Sequence, residues 1–203
     1  HTHTASLIFG VEEGDVDSKM RSSAKTVNFG IIYGMSPYGL SQGLGINVDQ
    51  ATLFIDAYFI RYPKVKVYMQ EMVEEARAKG FVTTLMGRRR WIPDINSSNG
   101  NIRQFAERTA INTPIQGSAA DLIKIAMINI SEALKKRNMK TSMTLQVHDE
   151  LVFDMPCDEQ KEAVPLIKDL MENAIKLKVP VEASVKIGDN WLDAMPIKFG
   201  GQE

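Results

Sequence analysis

A chain of 203 residues with 44% hydrophobic and 24% charged side chains is long enough for one good core, or two small lobes sharing one, and is neither a peptide, a fibre nor a disordered tract. Its formal net charge of -1, from 24 Lys and Arg against 25 Asp and Glu, gives no support of its own for nucleic-acid binding, although basic residues cluster at Arg88, Arg89 and Arg90 and at Lys135, Lys136 and Arg137. Cys157, the one cysteine, excludes an internal disulfide and suits a reduced compartment; no apolar run nears the roughly 18 residues of a membrane span, and no signal-peptide pattern opens the chain.

The start, HTHTASLIFG, has no Met and runs straight into apolar residues, which reads as a cut inside a larger protein. Asp17 can cap a helix reaching about Tyr33, which Ser36, Pro37, Tyr38 and Gly39 then interrupt. Asn47 with Gln50 three residues on predicts a capping box opening a helix from Val48 to about Ile60, ended by Tyr62-Pro63. Another helix runs from about Lys64 to Lys79, with Gly80 as its C-terminal cap. FVTTLMGRRRWIPD predicts two short strands around Gly87, and SSNGN at 97–101 a loop before a helix carrying Arg103, Glu107 and Arg108. Thr113-Pro114 is expected to break that helix. From Gly117 to Arg137 the apolar residues Ala119, Leu122, Ile123, Ala126, Ile130, Ala133 and Leu134 fall at intervals of three and four, an amphipathic helix. MTLQV and LVFDM read as strands separated by a tight turn of His148, Asp149 and Glu150; a helix at about 158–177 and a final strand, VEASVKI, follow. The first hundred residues are mainly helical and the second hundred mixed. This is an α+β, helix-rich fold with two subdomains, 1–100 and 101–203.

Within RSSAKTVNFGIIYG, Arg21, Lys25, Phe29 and Tyr33 stand four residues apart. On a helix they form a slowly drifting stripe about 18 Å long, able to face one elongated ligand. Alternatively Phe29 and Tyr33 are core residues, with Arg21 and Lys25 on the solvated end of the same face. Gly30 and Gly34 weigh against that, since glycine costs about 1 kcal/mol against alanine inside a helix and suggests a close approach or a hinge. Two cations suit a triphosphate and an aromatic face suits a sugar or base, so a nucleotide matches both ends of the stripe.

In LQVHDELVFD, apolar residues flank three polar ones at a hairpin tip. The tip is either a polar turn, with Asp149 bonded locally, or part of a magnesium site, which is commonly held by one or two carboxylates together with phosphate oxygens and waters.

RSSAKTVNFGIIYG, ERTAINTPIQGSAADL at 107–122 and LQVHDELVFD, in this order over nearly the whole chain, together resemble the polymerase core of the family A DNA polymerases, the bacterial DNA polymerase I type. The resemblance implies the fingers and part of the palm of a right-hand polymerase, with the first motif on the mobile fingers helix and the last on the metal-binding palm hairpin. Arg21 and Lys25 would hold the β- and γ-phosphates of a deoxynucleoside triphosphate, with Lys25 placed to protonate the leaving pyrophosphate. His1 would add a third phosphate contact, although the pair His1 and His3 also reads as a metal site or a tag scar. Phe29 would stack on the deoxyribose, and Phe rather than Tyr there predicts poor use of dideoxynucleotides. Tyr33 and Gly34 would sit beside the templating base.

Arg103, Arg108, Asn112 and Gln116 match family positions that contact template and primer, where amides and guanidinium groups can test the minor-groove acceptors that every correct pair presents. As alternatives, Arg108 pairs with Glu107 or another carboxylate, and Gln116 caps the helix at 117. Gln146 and His148 resemble contacts around the primer terminus. Asp149 would ligate two catalytic Mg²⁺ ions, with Glu150 a nearby, less essential carboxylate. These ions would lower the pKa of the primer 3'-OH and stabilise the attacking and leaving oxygens.

The family's second metal-binding Asp lies in a strand before the position of His1, and Asp121, Asp154 and Asp158 read instead as a helix-face residue, a strand end and a cap. The first palm strand is thus expected to be missing and these 203 residues alone to be inactive. The parent is expected to be a monomeric, cytoplasmic, nucleoid-associated bacterial enzyme of replication or repair. A single-subunit RNA polymerase and a non-catalytic nucleotide- or DNA-binding module are the competing readings; Phe29 and the turn at 148–150 argue for DNA synthesis.

Overall fold

The computed structural model describes residues 1–197; the last six residues of the expected 101–203 subdomain lie outside the described residues. The described chain is helix-rich, with three separate two-stranded antiparallel sheets. Contacts divide it into two units, His1–Gly117 and Ser118 onward, a division that falls inside a helix.

The first unit opens with α1, Thr2–Phe9, where an apolar start alone had been read; Gly10, at φ 65°, ends it. After a 3-10 turn at Glu13–Asp15 comes α2, Ser18–Ile32, whose cap is the Asp17 carboxylate accepting from the Met20 N–H. Ser36 to Gly39, expected only to interrupt, instead start a further helix, α3, Pro37–Leu44. Ser36 accepts from the Gly39 N–H, and Pro37 occupies the first turn, where its missing N–H costs nothing. The capping box of Asn47 and Gln50 opens α4, Val48–Arg61, and α5, Pro63–Lys79, ends at Gly80 with φ 76°. Strands β1, Phe81–Thr83, and β2, Arg89–Trp91, then pair antiparallel.

Two apolar clusters hold this unit. Val27, Ile31, Leu40 and Ala51 join α2, α3 and α4, while Ala76, Val82, Ile92, Ile95, Ala106 and Ala110 gather α5, the β1–β2 hairpin and the next helix. Each large side chain among these is worth about 1.5–3 kcal/mol of burial.

That next helix, α6, runs unbroken from Gly100 to Lys136 with Pro114 inside it. The expected break at Thr113-Pro114 is therefore absent. A proline removes one helical donor, here the partner of the Ala110 carbonyl, and crowds the preceding turn; the Tyr68 hydroxyl donates to the neighbouring Ile111 carbonyl at 3.1 Å and braces that turn. Nor can Gln116 cap a helix at 117, since no helix begins there.

In the second unit the expected amphipathic stripe buries Ile123, Ala126, Ile130 and Leu134 of α6. Strands β3, Ser142–Val147, and β4, Glu150–Asp154, form a hairpin with an irregularity between Met143 and Leu145. Met143, Leu151 and Phe153 pack on the α6 stripe together with Ala163 and Ile167 of α7, Gln160–Glu172. This last helix is shorter than the expected 158–177, and of VEASVKI only β5, Val185–Ile187, is strand, paired with β6, Met195–Ile197. Among the described residues no helix is long and apolar enough to cross a membrane.

Candidate functional site

In α2 the buried residues Ala24, Val27 and Ile31 lie on one side of the helix. The helical period of about 100° per residue puts the file of Arg21, Lys25, Phe29 and Tyr33 on the other. Phe29 is 42% exposed, so it is not a core residue. Lys25, Phe29 and Tyr33 line a groove of about 320 Å³ with Ser22, Thr26, Gly30 and Met35. Arg21 is exposed one turn before Lys25 and does not line it. Among the described residues no carboxylate pairs with Arg21 or Lys25, which leaves both cations available to an anion.

The aromatic end of the groove is preassembled. Phe29 stacks on Tyr33, with ring centroids 6.0 Å apart and planes at 25°, and the His1 ring tilts against Phe29 at 5.6 Å. Asn28, a residue the motif reading passed over, ties this end to α1: its amide nitrogen lies 3.0 Å from His1 Nδ1 and donates to Thr4 Oγ1 at 3.0 Å. His3 turns elsewhere, to Glu13 at 2.7 Å, so the two histidines do not converge on a metal. No periodicity marks Asn28, because its partners come from a different helix.

Only one of the two glycines lies inside the helix. Gly30 is buried, and a Cβ there would meet the Met35 sulfur at 3.0 Å. Gly34 lies just past the end of α2 at φ 72°, where the Met35 N–H bonds the Gly30 carbonyl and the Gly34 N–H bonds the Ile31 carbonyl, a Schellman closure. A Cβ on Gly34 would come within 3.0 Å of Arg108 Cγ, so the structure brings these two expected template contacts together.

Along α6, Arg108 lies with its guanidinium 6.0 Å from the Phe105 ring, while Glu107 pairs instead with Arg77 at 2.7 Å. Arg103 donates to the Ser97 carbonyl at 2.9 Å and thereby fixes the loop entering α6. The Asn112 side-chain oxygen is buried and has no hydrogen-bond partner among the described residues, an acceptor with an uncompensated desolvation cost. Gln116 is exposed two residues after Pro114. This proline-bearing turn is braced from outside by Tyr68 on the Ile111 carbonyl and by Arg88, whose Nη2 donates to the Gly117 carbonyl at 3.0 Å. Gly117 itself is needed, since a Cβ would lie 2.6 Å from the Thr84 methyl. Burial pushes the Tyr68 hydroxyl up to about 12, which keeps it a donor at ordinary pH. Neither Tyr68 nor Arg88 carries a local sequence signal for this role.

In the second unit the loop joining β3 and β4 holds only His148 and Asp149, because Glu150 already pairs with Val147 as the first residue of β4. His148 adopts φ 55°, an uncommon conformation for a residue with a Cβ, and its carbonyl accepts from the Gln146 side chain at 3.1 Å. Gln146, His148, Asp149 and Glu150 are thus gathered at one exposed hairpin end. Among the described residues no three His, Cys, Asp or Glu side chains come together as a metal-holding group.

The profile of DNA polymerase family A matches residues 1–193. DNA polymerase I of Lactococcus lactis subsp. lactis is 52% identical over 195 residues, and DNA polymerase I of Bacillus subtilis 53% identical over 194 residues; each alignment takes in 96% of this chain and 22% of the relative. The chain therefore spans about a fifth of the length of the curated relatives it matches. The solved POL domain of Pol1 from M. smegmatis, in complex with DNA primer-template and dNTP, is similar at a TM-score of 0.86 and 43% identity, over 90% of this chain and 32% of that one.

Proposed function

The chain belongs to DNA polymerase family A, and we propose that it forms the fingers, residues 1–100, and part of the palm, residues 101–203, of a template-directed DNA polymerase that adds deoxynucleotides to a primer 3'-OH. The observation that carries this reading is the groove on α2, where Lys25 stands at one end of an open aromatic face made by Phe29 and Tyr33. Its partners are primer-template DNA and deoxynucleoside triphosphates, the ligands named for the M. smegmatis structure.

In this reading the primer 3'-OH gives its proton to solvent, its oxygen bonds to the α-phosphorus of the incoming nucleotide, the bond from that phosphorus to the bridging oxygen breaks, and pyrophosphate leaves. Arg21, Lys25 and His1 hold the β- and γ-phosphates, and Lys25 gives a proton to the leaving group. The ring of Phe29 stacks on the deoxyribose, and Tyr33 and Gly34 sit beside the templating base. Arg103, Arg108, Asn112 and Gln116 contact template and primer, and the partnerless acceptor of Asn112 suits a donor from the nucleic acid. Gln146 and His148 meet the primer terminus.

The cofactor of this reading is Mg²⁺, two ions in the complete enzyme. Asp149 is the ligand these residues would contribute, with Glu150 a secondary carboxylate. One exposed turn falls short of a magnesium site, so the residues here fit part of the requirement and further carboxylates would complete it. For that reason the chain alone is expected to extend primers weakly or not at all. The enzyme acts as a monomer in the bacterial cytoplasm, at the nucleoid, in replication or repair.

The test is a chimera in which this chain replaces the matching 194 residues of the B. subtilis relative. The expected result is primer extension with deoxynucleotides. Ribonucleotide preference would move the reading to RNA synthesis, and a folded chimera that binds DNA without extending it would reduce it to a binding module.

A further inference from the structure

The β1–β2 hairpin carries a basic cluster, Arg88, Arg89 and Arg90, that the site above does not use directly. Arg88 is turned inward onto Gly117 and anchors the hairpin. Arg89 and Arg90 are exposed, and among the described residues neither pairs with a carboxylate. Trp91 is 64% exposed, and Leu85 and Met86 at the hairpin end are exposed as well. The register, Phe81 opposite Trp91 and Thr83 opposite Arg89, places Phe81, Arg89 and Trp91 on one face. On that face the Phe81 ring meets Trp91 edge-on at 5.0 Å and lies under the Arg89 guanidinium at 4.8 Å.

We propose that this face is a separate, sequence-tolerant contact for single-stranded DNA, in which Arg89 holds a backbone phosphate and a base stacks on Trp91. Three points favour that occupant. The Arg89 guanidinium, with no carboxylate partner among the described residues, attracts a polyanion locally in an otherwise charge-balanced chain. Phe81 supports both Trp91 and Arg89, so the indole face is held ready at little entropic cost. An exposed indole offers its stacking energy to an unpaired base, whereas the bases of a duplex already stack on one another. The proposal rests on the polymerase reading only in where the strand comes from, the unpaired part of a template.

Trp91 and Trp191 are the two tryptophans of the chain, so a Trp191→Phe variant leaves Trp91 as the single indole reporter. Titration of this variant with an oligodeoxythymidine strand should quench its emission saturably, and the same sequence in a duplex should quench it much less. Apparent affinity should fall with salt, and Arg89→Ala should lower the slope of log affinity against log salt by about 0.7, the worth of one single-strand phosphate contact. Circular dichroism checks that the variant stays folded; Arg89→Lys should retain most of the salt slope. Absence of quenching, equal quenching by duplex, or a slope unchanged in the alanine variant would each overturn the proposal. None of these measurements involves nucleotide addition, so their failure is distinct from failure of the chimera to extend a primer.

Discussion

The Tyr68 hydroxyl donates to the Ile111 carbonyl across 43 residues of sequence, and so supports the turn of α6 that precedes Pro114. Tyr68→Phe removes this hydrogen bond and should cost about 1 kcal/mol. The folded state holds the Tyr68 proton more tightly than the unfolded chain, whose tyrosines ionise near the ordinary 10.0. This contribution is whole below about pH 10 and is lost as pH rises toward about 12. Urea midpoints between pH 8 and pH 11 check it: the decline should be steeper in the wild type than in Tyr68→Phe.

Gly34 and Gly30 should respond differently to alanine. Gly34 has φ 72° and faces Arg108 Cγ, so Gly34→Ala should destabilise by about 1–2 kcal/mol. At Gly30 the backbone is helical, alanine is favoured by about 1 kcal/mol, and the close neighbour is the end of the flexible Met35 side chain. Thermal melts of the two variants should show the larger loss for Gly34→Ala.

With 42% of its surface exposed toward the groove, Phe29 has room for a hydroxyl. In the chimera, Phe29→Tyr should raise dideoxynucleotide use relative to deoxynucleotides by about tenfold or more, the worth of one hydrogen bond of about 1.4 kcal/mol. Unchanged discrimination in single-turnover incorporation would remove the sugar-stacking assignment.

Asp149 lies at an exposed hairpin end and supports no core contact. Asp149→Ala in the chimera should abolish extension while primer-template affinity, read by anisotropy, stays nearly the same. Parallel loss of affinity and rate would mark the hairpin as structural.

Glu159 accepts from the Thr141 hydroxyl at 2.6 Å and from the Lys140 and Thr141 N–H groups at 2.7 and 2.8 Å. These bonds, that to the Thr141 hydroxyl first, hold its carboxyl below the ordinary 4.5. Its contribution is present above about pH 4.5 and is lost as pH falls through the lowered folded value. The protection of the Lys140 and Thr141 amides against exchange, relative to their intrinsic rates at each pH, should therefore fall below pH 4.5, and Glu159→Gln should flatten that dependence.

What the sequence by itself determined has a short range. Asp17, the Asn47–Gln50 box, Gly80 and the stripe of Ile123, Ala126, Ile130 and Leu134 act through contacts one helical turn away, so their elements were legible from spacing alone. The file of Lys25, Phe29 and Tyr33 was legible in the same way, as was the β3–β4 hairpin, apart from Glu150 joining its strand. The tertiary structure decided what depends on distant partners. Pro114 reads locally as a helix breaker, yet α6 continues through it with Tyr68 bonded to the turn before it. Phe29 and Tyr33 read from spacing alone first as core and only second as a binding face, and only the packing of the opposite side of α2, through Val27 and Ile31 onto Leu40 and Ala51, left the aromatic side open. The physical reason is common to these cases: caps and periodicity are set by backbone geometry over three or four residues, whereas the burial of a face and the bracing of a proline-bearing turn depend on whichever side chain the fold brings from elsewhere.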